Sequence, residues 1–215
     1  LLPTLKMRLA RVSTIVDLGN IKELNHIQRE GSELIIGAMT PHATVAASDI
    51  VQKAIPALAQ MAEKIGDPLV RNRGTMGGSM ANADPAADYP SAIVGLGAIV
   101  VTNQRRIDGD QFFTGLFETA LKPGEIITSV RYLIPEKSGH AKLKQPASRF
   151  AITGVFVSRR AGEVRVGVTG VAPSVFRFTA AEAALTKMFD PSALDGVDRK
   201  STRLNSSHVS ESRMP

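Results

Sequence analysis

Three features of the sequence predict an α+β fold. Apolar residues fall at positions 51, 54, 55, 58, 61, 62 and 65, the spacing of one helical face. Ile126–Ile134 alternates with the period of a half-buried strand. Ala151–Arg159 and Val164–Val171 read as two strands joined by Ala161-Gly162-Glu163, so a hairpin is expected, followed by an Ala-rich helix over Thr179–Phe189. This β, β, α order follows a polar stretch, Pro135–His140, read as a linker. Two units are therefore expected, 1–135 and a smaller α+β unit over 141–198.

Within the first unit, Val12–Leu18 is rich in β-branched residues and precedes a turn at Gly19-Asn20. Leu34–Ala38 is a short buried strand type, and Thr44–Ser48 a short helix. The helical stretch Val51–Ile65 contains Pro56, which is tolerated only if a new first turn begins there. Gly66-Asp67-Pro68 ends it. Arg71–Asp88 is long, rich in small residues and poor in large apolar ones. Pro90–Gly95 opens a short helix, Ala98–Thr102 is a strand, and Asp110–Phe113 is a helical turn with aromatic anchors. Phe112, Phe113 and Phe117 are expected in the core.

The chain has 215 residues, 43% hydrophobic and 21% charged, a globular composition with enough length for a real core. The absence of cysteine excludes disulfides, thiolate metal sites and thiolate-held clusters on this chain. The four histidines, at 26, 42, 140 and 208, have no metal-ligand spacing. His42 has no Ser or Asp partner at catalytic spacing and is expected to be structural. The longest apolar stretch, Ala92–Val101, is interrupted by glycines and falls short of the ~20 residues of a membrane span. Leu1-Leu2-Pro3-Thr4 has no initiator Met and no signal-peptide pattern, and reads as an interior segment.

The net charge is +6, but four Lys/Arg and one Asp/Glu lie in 199–215, which leaves +3 spread thinly over the rest. No basic run interleaves with aromatics, so nucleic-acid binding is not expected. Residues 199–215 break the pattern before them: Ser, Arg and Asn dominate, and apolar periodicity stops. They read as foreign sequence or as a disordered tail.

The segment Thr75-Met76-Gly77-Gly78-Ser79 carries the chemistry a phosphate needs: N–H donors without side chains in the way, and hydroxyls beside them. It is neither a Gly-x-Gly-x-x-Gly fingerprint nor a loop ending in Gly-Lys-Ser/Thr. Asn82, Asp84 and Asp88 follow, and a carboxylate at Asp88 is placed to accept from ribose hydroxyls or ring N–H groups. From local chemistry alone the glycine pair reads first as a plain turn. Arg71 and Arg73 beside it either balance a diphosphate, meet a partner, or form a solvated pair.

The string from Gly66-Asp67-Pro68-Leu69-Val70-Arg71-Asn72-Arg73-Gly74 through Thr75-Met76-Gly77-Gly78-Ser79-Met80-Ala81-Asn82-Ala83-Asp84-Pro85-Ala86-Ala87-Asp88-Tyr89-Pro90 resembles the medium, FAD-binding subunit of the molybdenum hydroxylases. That family includes aerobic carbon monoxide dehydrogenase and the xanthine dehydrogenases. Leu1–Ala10, Gly37–His42, Phe112–Gly115, Pro123–Ile127 and Pro146–Phe150 agree in order, so the likeness covers residues 1 to about 198.

The resemblance implies a two-part FAD-binding domain of the vanillyl-alcohol-oxidase type followed by a small α+β domain. It implies non-covalent FAD, with Thr75, Met76, Gly77, Gly78 and Ser79 at the pyrophosphate and Asp88 on the flavin nucleotide. Ile127 would pack by the adenine or flavin, Lys142 would reach the flavin (with Lys144 the alternative in a shifted register), and Phe150 would stand beside it. It also implies a cytoplasmic oxidoreductase subunit with no membrane span, assembled as a dimer of heterotrimers. The partners would be a small subunit carrying [2Fe-2S] clusters and a large subunit carrying the molybdenum cofactor. A second Gly-rich loop would precede Leu1, and the C-terminal domain would break off near Asp198. The alternative is a flavin-free structural or assembly module of the same complex.

Overall fold

The structure, a computed structural model, describes residues 7–8 and 12–197. The expectations for the tail at 199–215 and for most of Leu1–Ala10 lie outside them. The fold is α+β, with a five-stranded and a four-stranded antiparallel sheet and one small two-stranded ladder among the described residues.

A hairpin of β1 (Ile27–Glu30) and β2 (Glu33–Gly37) opens the first sheet. Five helices follow: α1 (His42–Ala47), α2 (Asp49–Ala54), α3 (Pro56–Glu63), α4 (Pro68–Arg73) and α5 (Met76–Asn82). Then come α6 (Tyr89–Leu96), β3 (Ile99–Thr102), β4 (Arg106–Asp108), α7 (Gly109–Phe112), the small ladder β5 (Phe113–Gly115) and β6 (Glu118–Thr119), and β7 (Ile127–Leu133). The first sheet has the order β1-β2-β7-β3-β4. The second contains β8 (Lys137–Lys144), β9 (Ala151–Arg160), β10 (Glu163–Thr169) and β11 (Phe176–Arg177) in the order β11-β10-β9-β8, and α8 (Thr179–Lys187) packs on it.

The helical face over 51–65 forms, and Pro56 divides it as its ring demands. Ile55 leaves helical geometry (φ −141°), and Pro56 starts α3 in its first turn. Gly66-Asp67-Pro68 both ends one helix and begins the next. The Asp67 carboxylate accepts from the Val70 amide at 2.9 Å, and Pro68 occupies the first turn of α4, where its missing N–H costs nothing.

All eight residues of α6 are buried, which its uniformly apolar and small composition allows. The helix touches both β7 of the first sheet and β9–β10 of the second. Backbone meets backbone here: a Cβ on Gly167 would lie 2.2 Å from the Ser91 carbonyl oxygen, and one on Gly95 would lie 2.6 Å from that of Phe156. The Ser158 hydroxyl donates to the Gly95 carbonyl at 2.6 Å. Phe156 therefore joins the main core with Leu34, Leu58, Met61, Tyr89 and Tyr132, while Val164, Val166, Val168, Ala181 and Leu185 form a second cluster under α8.

Two readings of the sequence are corrected. Residues 137–140 are not a linker: they begin β8, which pairs with β9 from Lys137↔Arg159 to Lys144↔Ala151. Phe112 is buried as expected, but Phe117 sits at the tip between β5 and β6 with φ 56° and is exposed. Among the described residues no helix is long and apolar enough to cross a membrane, and no His/Cys/Asp/Glu group could hold a metal ion.

Candidate functional site

A cleft of about 440 Å³ opens between the α4–α5 region and the loop joining β8 to β9. Its lining comes from His42, from Ile65, Gly66, Asp67 and Val70, from Ser79, Asn82, Asp84, Ala87 and Asp88, and from Lys142 and Ala147–Phe150. That volume falls within the range of small-molecule sites.

The glycine segment is a helix start. Thr75 is the N-cap of α5, and its hydroxyl accepts from the Gly78 amide at 3.2 Å. The Met76 amide donates to the Thr40 carbonyl at 3.1 Å and the Gly77 amide to that of Ala38 at 2.8 Å. The donors that made this segment look like a phosphate cradle are therefore committed inside the protein. Met76 is a core residue whose sulfur accepts from the Tyr132 hydroxyl at 3.2 Å. Thr75, Met76, Gly77 and Gly78 do not line the cleft; Ser79 does.

The two glycines have different reasons to be glycine. A Cβ on Gly77 would lie 2.5 Å from the Ala38 side chain and 2.8 Å from its carbonyl oxygen, whereas one on exposed Gly78 would meet only the Thr75 hydroxyl, at 2.9 Å. Gly77→Ala is expected to destabilise the fold by about 1–3 kcal/mol through overpacking. Gly78→Ala is expected to be near neutral, since roughly 1 kcal/mol of helix propensity offsets a weakened cap. Thermal melts of the two variants check this; equal losses would contradict it.

Asp88 precedes α6 but does not cap it. Its side chain turns to Lys142, whose ammonium donates to Oδ2 at 2.7 Å. The two side chains are only 5% and 4% exposed. Lys142 also donates to the Lys64 carbonyl at 3.4 Å. The expected flavin contacts of Asp88 and Lys142 are thus brought together, and they meet each other. Burial raises the Asp88 pKa, with the Lys142 hydrogen bond and charge pulling the other way.

His140 lies two residues before Lys142 on the same face of β8, with Nε2 3.8 Å from Asp88 Oδ1. Asp88 Oδ1, both His140 nitrogens, His42 Nδ1 and the Tyr89 hydroxyl are buried without a hydrogen-bond partner. Most buried polar atoms are satisfied, so this concentration in and behind the cleft wall calls for a ligand or water. Burial lowers the pKa of His42 to about 4, and burial with the Lys64 and Lys142 charges lowers that of His140 to about 4. Burial and the Asp88 charge push the Tyr89 hydroxyl up. His42 packs against Tyr89, with ring centroids 5.3 Å apart.

Phe150 lines the cleft, half exposed, on a loop closed by the Gln145 amide to the Phe150 carbonyl at 2.9 Å. Ile127 does not line it: it is buried in the main core, paired with Thr102 on β7. Lys144 lies outside the cleft, on an adjacent groove. The sequence reading missed His140, Tyr89, Ser148 and Arg149. Period-2 spacing from Lys142 would have found His140 had β8 been read as a strand.

Comparison with known proteins places these features. The family model described as the FAD binding domain in molybdopterin dehydrogenase matches residues 1–136. The chain is 36% identical to the carbon monoxide dehydrogenase medium chain of Hydrogenophaga pseudoflava, over 82% of this chain and 66% of the relative. It is 34% identical to the nicotine 6-hydroxylase medium subunit of Paenarthrobacter nicotinovorans, over 86% of this chain and 69% of the relative. It thus spans about two thirds of the length of these relatives. Among solved structures, the carbon monoxide dehydrogenase of H. pseudoflava that lacks the Mo-pyranopterin moiety superposes with a TM-score of 0.82 at 36% identity, over 90% of this chain and 72% of that one. Quinoline 2-oxidoreductase from Pseudomonas putida 86 superposes with a TM-score of 0.81 at 27% identity, over 95% of this chain and 81% of that one. The chain belongs to the family of FAD-binding domains of the molybdopterin dehydrogenases.

Proposed function

We propose that this chain is the FAD-carrying electron-transfer subunit of a molybdenum-dependent hydroxylase and holds the cofactor in the cleft between α5 and the β8–β9 loop. The observation that carries this reading is the set of unsatisfied buried polar atoms in and behind the wall of a cleft that the aromatic side chain of Phe150 also lines. When bound, FAD takes up two electrons and passes them on; the protein binds, orients and tunes it. Ser79 and Asn82 offer a hydroxyl and an amide to hydroxyl or phosphoryl oxygens, and Phe150 offers a face to a planar ring. The Thr75–Ser79 turn contributes through Ser79 and the open side of Gly78, its amides being occupied.

Lys142 does not act as a free positive charge. Paired with Asp88, it holds a nearly neutral dipole against the cleft, and water is excluded from that pair. In the whole enzyme, electrons would reach this site from [2Fe-2S] clusters on a small subunit, after oxidation of the substrate at a molybdenum cofactor on a large one. They would leave to an external acceptor. A cytoplasmic dimer of heterotrimers is the assembly this role fits.

Titration of the full chain with FAD tests the reading. Flavin fluorescence is expected to change on binding, and Phe150→Ala to weaken affinity by roughly tenfold through the lost aromatic contact. A chain that stays colourless and leaves flavin fluorescence unchanged would instead be the flavin-free assembly module.

A further inference from the structure

The second sheet sits on the first unit like a see-saw on its pivot. Its strand order is β11-β10-β9-β8, and α6 lies mainly under the two middle strands. The seat is backbone on backbone, Gly95 against Phe156 of β9 and Gly167 of β10 against Ser91. These glycines remove side chains that would otherwise key the sheet against rolling about the helix axis. β11 and β8 are the two arms. β8 brings Lys142 to the cleft, and the loop after it brings Ala147–Phe150.

Each arm is tied to the first unit by charge. On the β8 side the tie is the Lys142–Asp88 pair. On the β11 side it is Asp110 of α7. Its Oδ2 accepts from Arg177 Nη1 at 3.3 Å, and its Oδ1 accepts from Arg165 Nη2 of β10. Arg165 Nε also donates to the Val94 carbonyl of α6 at 2.9 Å. Arg177 is itself fixed: Nε and Nη2 donate to the two Glu182 oxygens at 2.9 and 2.7 Å, and Glu182 Oε1 also accepts from the Val166 amide at 2.9 Å. The second unit thus presents two oriented guanidinium forks to one carboxylate of the first. The two ties differ in kind. Lys142 and Asp88 are almost wholly out of solvent, whereas the side chains of Arg165, Asp110 and Arg177 are 25%, 31% and 35% exposed. Salt screens the second tie and spares the first.

We propose that Asp110 is a positioning residue for the cleft: by holding Arg165 and Arg177 it sets the roll of the second sheet on α6, and so the place of β8 opposite α4. With this tie made, the β8 side stands at one distance from α4. With it broken, the sheet turns on α6 until the β8 contacts alone limit it, and a ligand between the two sides leaves sooner. The proposal deepens the proposed function and rests on the cleft as the ligand site, but it is read from the protein without ligand.

The experiment uses the absence of cysteine, which lets two introduced cysteines carry spin labels. Leu69→Cys on α4 with Leu143→Cys on β8, both exposed, reports the distance across the cleft by double electron–electron resonance. Leu69→Cys with Ile50→Cys, both in the first unit, is the control. Asp110→Asn is expected to broaden the cross-cleft distribution and leave the control unchanged. It strands no charge, because Arg165 keeps the Val94 carbonyl and Arg177 keeps Glu182. Salt raised from about 0.01 M to about 1 M is expected to broaden the same distribution in the labelled parent and to add nothing in Asp110→Asn. The parent's salt response decides the matter even if the variant fails to fold. Release of bound FAD, followed by its fluorescence, is expected to be roughly fivefold faster in Asp110→Asn, the scale of one partly exposed ion pair. A cross-cleft distribution indifferent to the substitution, to salt in the parent, or equally responsive to salt in parent and variant overturns the proposal. If FAD fails to bind, the cofactor assignment falls, and the distances still decide the role of Asp110.

Discussion

Lys142→Met is expected to cost the fold about 3–5 kcal/mol at neutral pH, the typical penalty for stranding one partner of a buried ion pair. The 2.7 Å contact to Asp88 joins two side chains almost wholly removed from solvent. Without it, Asp88 keeps no hydrogen bond: Oδ1 has none already, and His140 Nε2 stands 3.8 Å away. Coulomb attraction in the pair contributes less than this figure, because much of it repays desolvation. The double variant Asp88→Asn/Lys142→Met should therefore recover most of the loss, and the non-additivity measures the coupling. The pH dependence has a definite sign. Burial already raises the Asp88 pKa, and removing Lys142 raises it further. An acid with a raised folded pKa stabilises the fold below its unfolded pKa and loses that contribution as pH rises. The Lys142→Met penalty should thus be smallest in acid and grow toward neutral pH. Urea midpoints of the three proteins decide the matter; a single variant as stable as the parent would mean the pair is not desolvated.

Much of the scaffold was legible because burial and period coincide in it. The apolar residues at 51, 54, 55, 58, 61 and 62 all face the core or the seam beside Pro56, so spacing alone located two helices and the break between them. β7 and the β9–β10 hairpin alternate for the same reason. β8 was illegible because its inward face carries Ser138, His140 and Lys142, so no apolar alternation exists to read. That polar face brings Lys142 to the cleft and His140 to Asp88, so the feature that hid the strand is also what equips the candidate site. The glycine pair was read as a turn or a phosphate cradle, not as part of a helix, because helix propensity disfavours Gly-Gly. What holds it in α5 is tertiary: the closeness of Ala38, which no local pattern announces. Asp88 and Lys142 were both singled out, but their mutual contact spans 54 residues and depends on how β8 packs against α3. Family resemblance named the residues without revealing that they neutralise one another.

His42 in the cleft wall and His140 behind it set a second large effect, an acid lability that begins above the ordinary carboxylate range. His42 and His140 both titrate near pH about 4 in the folded chain, lowered from 6.5. A base whose folded pKa is depressed stabilises the fold above its unfolded pKa and loses that contribution as pH falls toward the folded value. Each histidine should thus withdraw about 2 kcal/mol by pH 5 and up to about 3 kcal/mol by pH 4. The groups facing them determine this sign. His140 meets Asp88 on one side, but Asp88 is already matched by Lys142, and Lys64 adds a further positive charge. His42 meets the Tyr89 ring and the backbone near Gly74, neither of which favours a cation. Glu125 does not compete in this window: the Arg105 hydrogen bonds hold its pKa at about 2, so its contribution is lost only below about 4.5. Against a total stability of roughly 5–15 kcal/mol, two such histidines are enough to start unfolding between pH 6.5 and 4. Urea midpoints measured from pH 7.5 to 4.5 should fall steeply in the parent and much less in His42→Met/His140→Met, whose side chains cannot take up a proton. An unchanged slope in the variant would move the acid lability to the carboxylates and leave the two rings as simple packing. A flattened slope would tie it to the same unsatisfied imidazoles that mark the cleft wall, because a ligand donating to or accepting from them would also have to be displaced before they could charge.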